Sequence, residues 1–234
     1  MLEVKALNVS YGKQRVLKEV ALTLGAGEVV ALIGPNAAGK SSTLRTIAGL
    51  KRQDSGAIRF RGADIGASPV HERVGAGLVL VPEGRQIFPR LSVRENLLMG
   101  AYHRPDRNGT EADIEQVFAL FPRLRERSQQ RAGSMSGGEQ QMLAIGRGMM
   151  AKPALMLLDE PTLGLAPIII DELGGIVRDL ARAGLSVLLA EQNAAMALGC
   201  ADRAYILDSG QVVLAGTASE LSDAAQVKDM YLGH

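Results

Sequence analysis

The chain has 234 residues, 47% of them apolar, with 26 Lys and Arg against 25 Asp and Glu. That length and apolar content suffice for one large domain or two small ones, each with a buried core, and exclude a disordered chain. Near-balanced charge, aromatic residues at 3% and no Trp leave neither a basic stripe nor stacking platforms for nucleic acid.

No apolar run approaches the roughly 20 residues that span a bilayer. The start, Met1-Leu2-Glu3-Val4-Lys5, lacks the basic and apolar parts of a secretory signal, so the expectation is a soluble chain in the cytosol. The single Cys200 excludes an internal disulfide. His71, His103 and His234 are too scattered for a metal cluster, so any metal should arrive with a ligand.

In chain order, short strands at Leu2 to Val9 and Val16 to Leu24 are broken at Tyr11-Gly12-Lys13. With Ala57 to Arg61 they predict a small antiparallel sheet. Between them, the apolar strand Val29 to Ile33 runs into Gly34-Pro35-Asn36-Ala37-Ala38-Gly39-Lys40-Ser41-Ser42, and a helix follows through Leu44, Ile47 and Ala48. Small residues at a strand-to-helix turn let backbone N–H groups curl round an anion, and the helix N-terminus adds partial positive charge. This is a phosphate-binding loop, in which Lys40 reaches the terminal phosphates and Ser41 ligates Mg²⁺; the expected ligand is a nucleoside triphosphate.

Further strand-like runs at Leu78 to Val81, Leu155 to Leu158, Val187 to Ala190 and Ala204 to Leu207 alternate with helical patterns or longer insertions. Alternation of this kind predicts an α/β fold, a mainly parallel sheet with helices on both faces. From Ser92 to Met150 the texture is helical. Ser92-Val93-Arg94-Glu95 reads as a capping box opening Asn96 to Ala101, Thr110-Glu111-Ala112-Asp113 precedes Ile114, Val117, Phe118 and Phe121, and Ser136-Gly137-Gly138-Glu139 precedes a third run. We expect one domain, with residues 92–150 inserted as a helical part into a core made of 1–91 and 151–234. A last capping box, Thr217-Ala218-Ser219-Glu220, opens a short helix.

The strand Leu155 to Leu158 ends in Asp159-Glu160, and ligands of open parallel sheets sit at strand carboxyl ends. Neighbouring strand side chains point to opposite sides, so one carboxylate can face a metal and the other an attacking water. Asp159 is the expected Mg²⁺ ligand, and Glu160 the residue that orients or deprotonates water at the γ-phosphate.

Between these two elements, Ser136-Gly137-Gly138-Glu139-Gln140-Gln141 resembles the signature segment of ATP-binding cassette (ABC) ATPases, with Met135 where that family usually has Leu. Physically it is a second helix N-terminus with glycines exposing backbone N–H groups. The resemblance covers nearly the whole chain. It implies a P-loop NTPase fold of ABC type and ATP with Mg²⁺ as ligands, and it matches Tyr11, followed by Val16, to the aromatic position that stacks on adenine. It implies that two cassettes meet head to tail, each nucleotide gripped by one subunit's phosphate loop and the other's Ser136 segment. Pro161-Thr162-Leu163-Gly164-Leu165-Ala166-Pro167 would meet the partner subunit. Arg147 is read as structural, a salt-bridge partner rather than a catalytic group.

Three positions depart from the general pattern. Ala37 replaces a glycine, which asks for an ordinary backbone angle or accepts mild strain. Glu83, in Val81-Pro82-Glu83-Gly84-Arg85, stands where most cassettes place a glutamine that senses the γ-phosphate and Mg²⁺ and contacts the membrane partner. Gln192, in Glu191-Gln192-Asn193, stands at the switch-histidine position, where it still donates a hydrogen bond.

The segment 81–93, the 191–193 triplet and Glu160 to Pro167 together resemble the second ATP-binding subunit of branched-chain amino-acid importers. Relatives of that group serve urea and similar solutes, and a non-transport ABC ATPase or a small-molecule kinase stands as the alternative. The implied partners are a second cassette, identical or not, two membrane permease subunits and, indirectly, a periplasmic substrate-binding protein. The chain would then sit on the inner face of the cell membrane.

Because Gln192 carries no titratable proton, ATPase activity is expected to lack a steep step near neutral pH from this position. Comparing pH profiles of the wild type and Gln192→His checks this; a wild-type inflection that vanishes in Gln192→Leu contradicts it.

Overall fold

A computed structural model describes residues 1–104 and 109–224; His234 lies outside the described residues. In chain order the elements are β1 (Leu2–Tyr11), β2 (Gln14–Leu24), β3 (Val29–Ile33), α1 (Lys40–Ile47), β4 (Ser55–Phe60), β5 (Ala63–Asp64), α2 (Val70–Gly75), β6 (Leu78–Val81), α3 (Val93–Gly100), α4 (Thr110–Leu120), α5 (Pro122–Glu126), α6 (Gly137–Met149), β7 (Leu155–Asp159), α7 (Pro167–Arg182), β8 (Ser186–Glu191), α8 (Ala194–Cys200), β9 (Arg203–Asp208), β10 (Gln211–Thr217) and α9 (Ala218–Asp223).

Strands β3, β7 and β8 are buried at every position, as strands covered on both faces must be. Among the described residues they lie within a six-stranded sheet of order β10-β9-β3-β8-β7-β6. The pairings of β9 with β3, β3 with β8, β8 with β7 and β7 with β6 are parallel, and β10 is antiparallel to β9. A four-stranded antiparallel sheet, β2-β1-β4-β5, lies beside it.

Alternate side chains of the large sheet enter two separate cores. Val29, Ala31, Ile33, Met156, Leu158, Val187 and Leu189 pack with the apolar faces of α3, α6, α7 and α8. Val30, Leu32, Leu155, Leu157, Leu188 and Ala190 pack instead with α1 and with the antiparallel sheet through Leu7, Leu22 and Ile58. The phosphate-loop helix therefore sits between the two sheets. Its far end is held by Arg73, only 3% exposed, whose guanidinium donates to the Thr46 and Ile47 carbonyls at 2.9 and 2.8 Å. A cation there both satisfies terminal carbonyls and complements the helix dipole.

The chain between β6 and β7 carries α3 to α6. Ser92, Ser136 and Thr217 each form a capping box, with Glu95, Glu139 and Glu220 returning the bond. Helix α3 begins at Val93, earlier than the apolar run from Asn96 suggests, because Ser92 itself is the cap. Helix α4 begins at Thr110 behind Gly109, which takes the cap position at φ 95°.

Helices α3 and α6 cross at Gly100, where a Cβ would stand 2.0 Å from the Arg147 carbonyl oxygen. Gly100→Ala must push the two helices apart. It is expected to cost about 1–3 kcal/mol in chemical denaturation, in the range of core overpacking; unchanged stability would show that the crossing is loose.

Candidate active site

The carboxyl ends of three adjacent parallel strands assemble the site. Ile33 pairs with Glu191 and Asp159 with Ala190, so the turns after β3, β7 and β8 emerge side by side. In the first turn, a Cβ on Gly34 would lie 2.1 Å from the Leu207 carbonyl oxygen, and Gly39 adopts φ 108°. Ala37 takes φ 65°, so of the two alternatives open for this position the chain accepts strain, a left-handed conformation costing about 1–2 kcal/mol for a residue with a Cβ.

Lys40 is the first residue of α1 and is 4% exposed. Its ammonium donates to the Gly34 and Pro35 carbonyls at 2.6 and 3.0 Å and pairs with Glu160 Oε1 at 2.9 Å. The Ser41 hydroxyl donates to Asp159 Oδ1 at 2.7 Å. Asp159 Oδ2 is buried and has no hydrogen-bond partner among the described residues. Burial, assisted by the charges of Glu83 and Glu160, pushes the Asp159 carboxyl above the usual range against the opposing Ser41 bond.

Asp159 is the last residue of β7, whereas Glu160 lies beyond it with φ 47°. The separation of the two carboxylates thus comes from a left-handed turn as well as from strand alternation. The Glu160 N–H donates to the Ala190 carbonyl at 2.9 Å, and Glu160 Oε2 accepts the Gln192 N–H at 3.2 Å. These contacts hold the carboxylate between Lys40 and the turn after β8.

Val16, Asn36, Ala37, Ala38, Gly39, Lys40, Ser41, Ser42, Glu83 and Glu160 line one cavity of ≈ 460 Å³. Gln14 and Leu163 also line it, and sequence reasoning missed both. Neither carries a charge or a motif glycine; the signal for Gln14 was adjacency to Val16, and Leu163 was read only as part of the Pro161 to Pro167 segment.

Tyr11 is not among the residues lining that cavity. It is 45% exposed at the end of β1, with the Lys51 ammonium 4.6 Å from its ring centroid. Ser136, Gly137, Gly138 and Glu139 also lie outside the cavity lining, at the start of α6. A Cβ on Gly138 would come within 3.0 Å of Ile169, so this glycine lets α6 and α7 approach. Arg147 has partners that differ from the expected carboxylate. It donates to the Gln86 carbonyl at 2.8 Å and lies over the Phe88 ring, with no carboxylate partner among the described residues.

Comparison with known proteins bears on the family and the fold. A family model described as ABC transporter matches residues 17–163. The chain is 48% identical over 233 residues, covering all of both chains, to the high-affinity branched-chain amino acid transport ATP-binding protein BraG of Pseudomonas aeruginosa. It is 36% identical to the lipopolysaccharide export system ATP-binding protein LptB of Haemophilus influenzae, covering all of this chain and 97% of that one. Among solved structures, the ADP conformation of an ATP-binding cassette of an ABC transporter superposes with TM-score 0.89 at 25% identity, covering 100% of this chain and 99% of the other. A phosphate loop, a strand ending in two carboxylates and full-length similarity to such cassettes lead to one conclusion: the chain belongs to the ABC transporter family.

Proposed function

We propose that the chain is the ATP-binding and ATP-hydrolysing subunit of an importer for branched-chain amino acids. The observation that carries this reading is the convergence of Lys40 and Ser41 with Asp159 and Glu160, in a chain more similar to BraG, at 48% identity, than to the export protein LptB, at 36%. Substrate recognition belongs to other subunits.

In this reading the loop from Gly34 to Ser42 cradles the phosphates, and Lys40 exchanges its carbonyl and Glu160 partners for the terminal phosphates. Glu160, freed from Lys40, orients or deprotonates the attacking water. Gln192 donates to the γ-phosphate, and Tyr11 with Val16 contacts adenine. The Ser136 to Glu139 turn completes the site of a second cassette.

Mg²⁺ fits the residues present. Asp159 Oδ2 is an orphaned buried acceptor beside a hydroxyl, a set of hard oxygen ligands. Among the described residues no group of three or more His, Cys, Asp or Glu could hold a metal. That suits an ion which keeps phosphate and water ligands. Ser41, Asp159 and Glu83 would hold it, and it would neutralise charge developing on the phosphates.

Among the described residues no helix is long and apolar enough to cross a membrane. Docking to membrane permease subunits is supported by a largely apolar groove of ≈ 450 Å³ between the sheet edge and α3, where Leu50 is 60% exposed and Phe88 and Met99 43%. Through Val81 and Pro82 it adjoins Glu83, which would relay the state of the nucleotide. Residues 92–150 would move with that relay against the core of 1–91 and 151–234, on the inner face of the membrane.

Glu160→Gln is expected to keep ATP binding, slow turnover by about 10²- to 10⁴-fold and trap a nucleotide-bound dimer in size-exclusion chromatography. Hydrolysis at the wild-type rate would remove Glu160 from the reaction.

A second prediction follows from Asp159. Its folded-state pKa is raised, so the stability it contributes is present below the unfolded carboxyl pKa and lost as pH rises through the folded one. Without nucleotide or metal, Asp159→Asn should therefore melt at a higher temperature than the wild type at neutral pH, the gap narrowing toward pH 4. A lower melting temperature at neutral pH contradicts this.

A further inference from the structure

Glu191 ends β8 and is 1% exposed, a burial that carboxylates rarely reach without partners. No cation pairs with it among the described residues. Its partners are backbone N–H groups and the Thr162 side chain. Oε1 accepts from Thr162 at 3.0 Å, Oε2 from Asn193 at 3.3 Å, and the Glu191 carbonyl accepts from Gly34 at 3.3 Å. The carboxylate thus bonds to the loop that follows Glu160 and to the turn that carries Gln192, while the backbone carbonyl of the same residue extends the β3–β8 pairing to the phosphate loop.

We propose that Glu191 is a positioning residue for ATP hydrolysis, whose carboxylate ties the loops bearing Glu160 and Gln192 to each other beside the phosphate loop. The inference rests on the ATPase reading above and adds to it a residue that touches no reacting atom. A carboxylate suits the task because both its oxygens accept, whereas an amide of the same shape must turn a donor toward one of the two N–H groups. Burial, with Glu160 nearby, pushes its carboxyl above the usual range against the Thr162 and Asn193 bonds, a penalty on the ionised form that a purely space-filling residue would avoid. The Thr162 bond stands two residues past Glu160. The Asn193 bond stands one residue past Gln192, whose own N–H is held by Glu160 at 3.2 Å. Loosening either loop shifts Glu160 relative to Lys40.

The test compares the full-length wild type, Glu191→Gln and Thr217→Ala. Thr217→Ala removes the remote cap of α9 and so controls for general destabilisation. Steady-state kcat and KM for ATP, the affinity for a fluorescent ATP analogue and the melting temperature are measured on each. Glu191→Gln should lower kcat by about 10- to 100-fold, as small misplacements of reacting groups do, while KM and analogue affinity stay within about twofold. Thr217→Ala should lower the melting temperature alone.

A Glu191→Gln enzyme with wild-type kcat, or one whose kcat loss follows its melting temperature as in the control, overturns the proposal. Amide hydrogen exchange on the wild type provides a second decision that needs no variant. Protected N–H groups at Thr162 and Asn193 support the tie, and exchange at open-loop rates overturns it. A wild-type chain that fails to hydrolyse ATP would remove the functional reading, and the exchange rates would still decide whether Glu191 holds the two loops.

Discussion

The site depends on the in-register parallel pairing of β3 with β8 and β8 with β7. Those hydrogen bonds bring Ile33, Ala190, Glu191 and Asp159 to one edge, and each strand then hands its chain to a different turn. No helix or loop could set Lys40 against Glu160 if the strands slipped by one residue, because a slip sends every side chain to the other face. The two cores, one on each face of the sheet, resist such a slip.

At that edge the charges are unevenly matched. Asp159 experiences Glu83 and Glu160, and Glu191 experiences Glu160, while the ammonium of Lys40 is shared among two carbonyls and one carboxylate. Backbone conformations are also spent here, with Ala37 and Glu160 both left-handed. Strain and like charge concentrated in one place mark a surface shaped for a ligand rather than for the empty protein's stability.

Much of this was legible in the chain because strong local signals coincide with the important elements. The phosphate loop, the strand ending in Asp159-Glu160 and the capping boxes at Ser92, Ser136 and Thr217 each carry a residue pattern with a direct structural cause. The strands from Val29, Leu155 and Val187 are apolar runs that burial on both faces requires, and those from Leu78 and Ala204 are apolar runs with buried centres or ends. Less visible was β10, whose residues alternate between exposed and half-buried and whose pairing depends on β9 alone in the large sheet. Helix α8 is short and rich in Ala, and helix α7 starts at a proline that reads equally as a loop residue. The bond of Glu191 to Thr162 and the carbonyl partner of Arg147 join residues far apart in sequence, and no local pattern announces them.

Lys40 shapes the thermodynamics of any anion that enters. Its ammonium already has three oxygen neighbours, so an incoming phosphate trades contacts instead of adding them. Affinity for such an anion is accordingly a difference between two sets of bonds, one of them the pair of Lys40 with Glu160. In the proposed mechanism the same exchange couples occupancy of the loop to release of the Glu160 carboxylate.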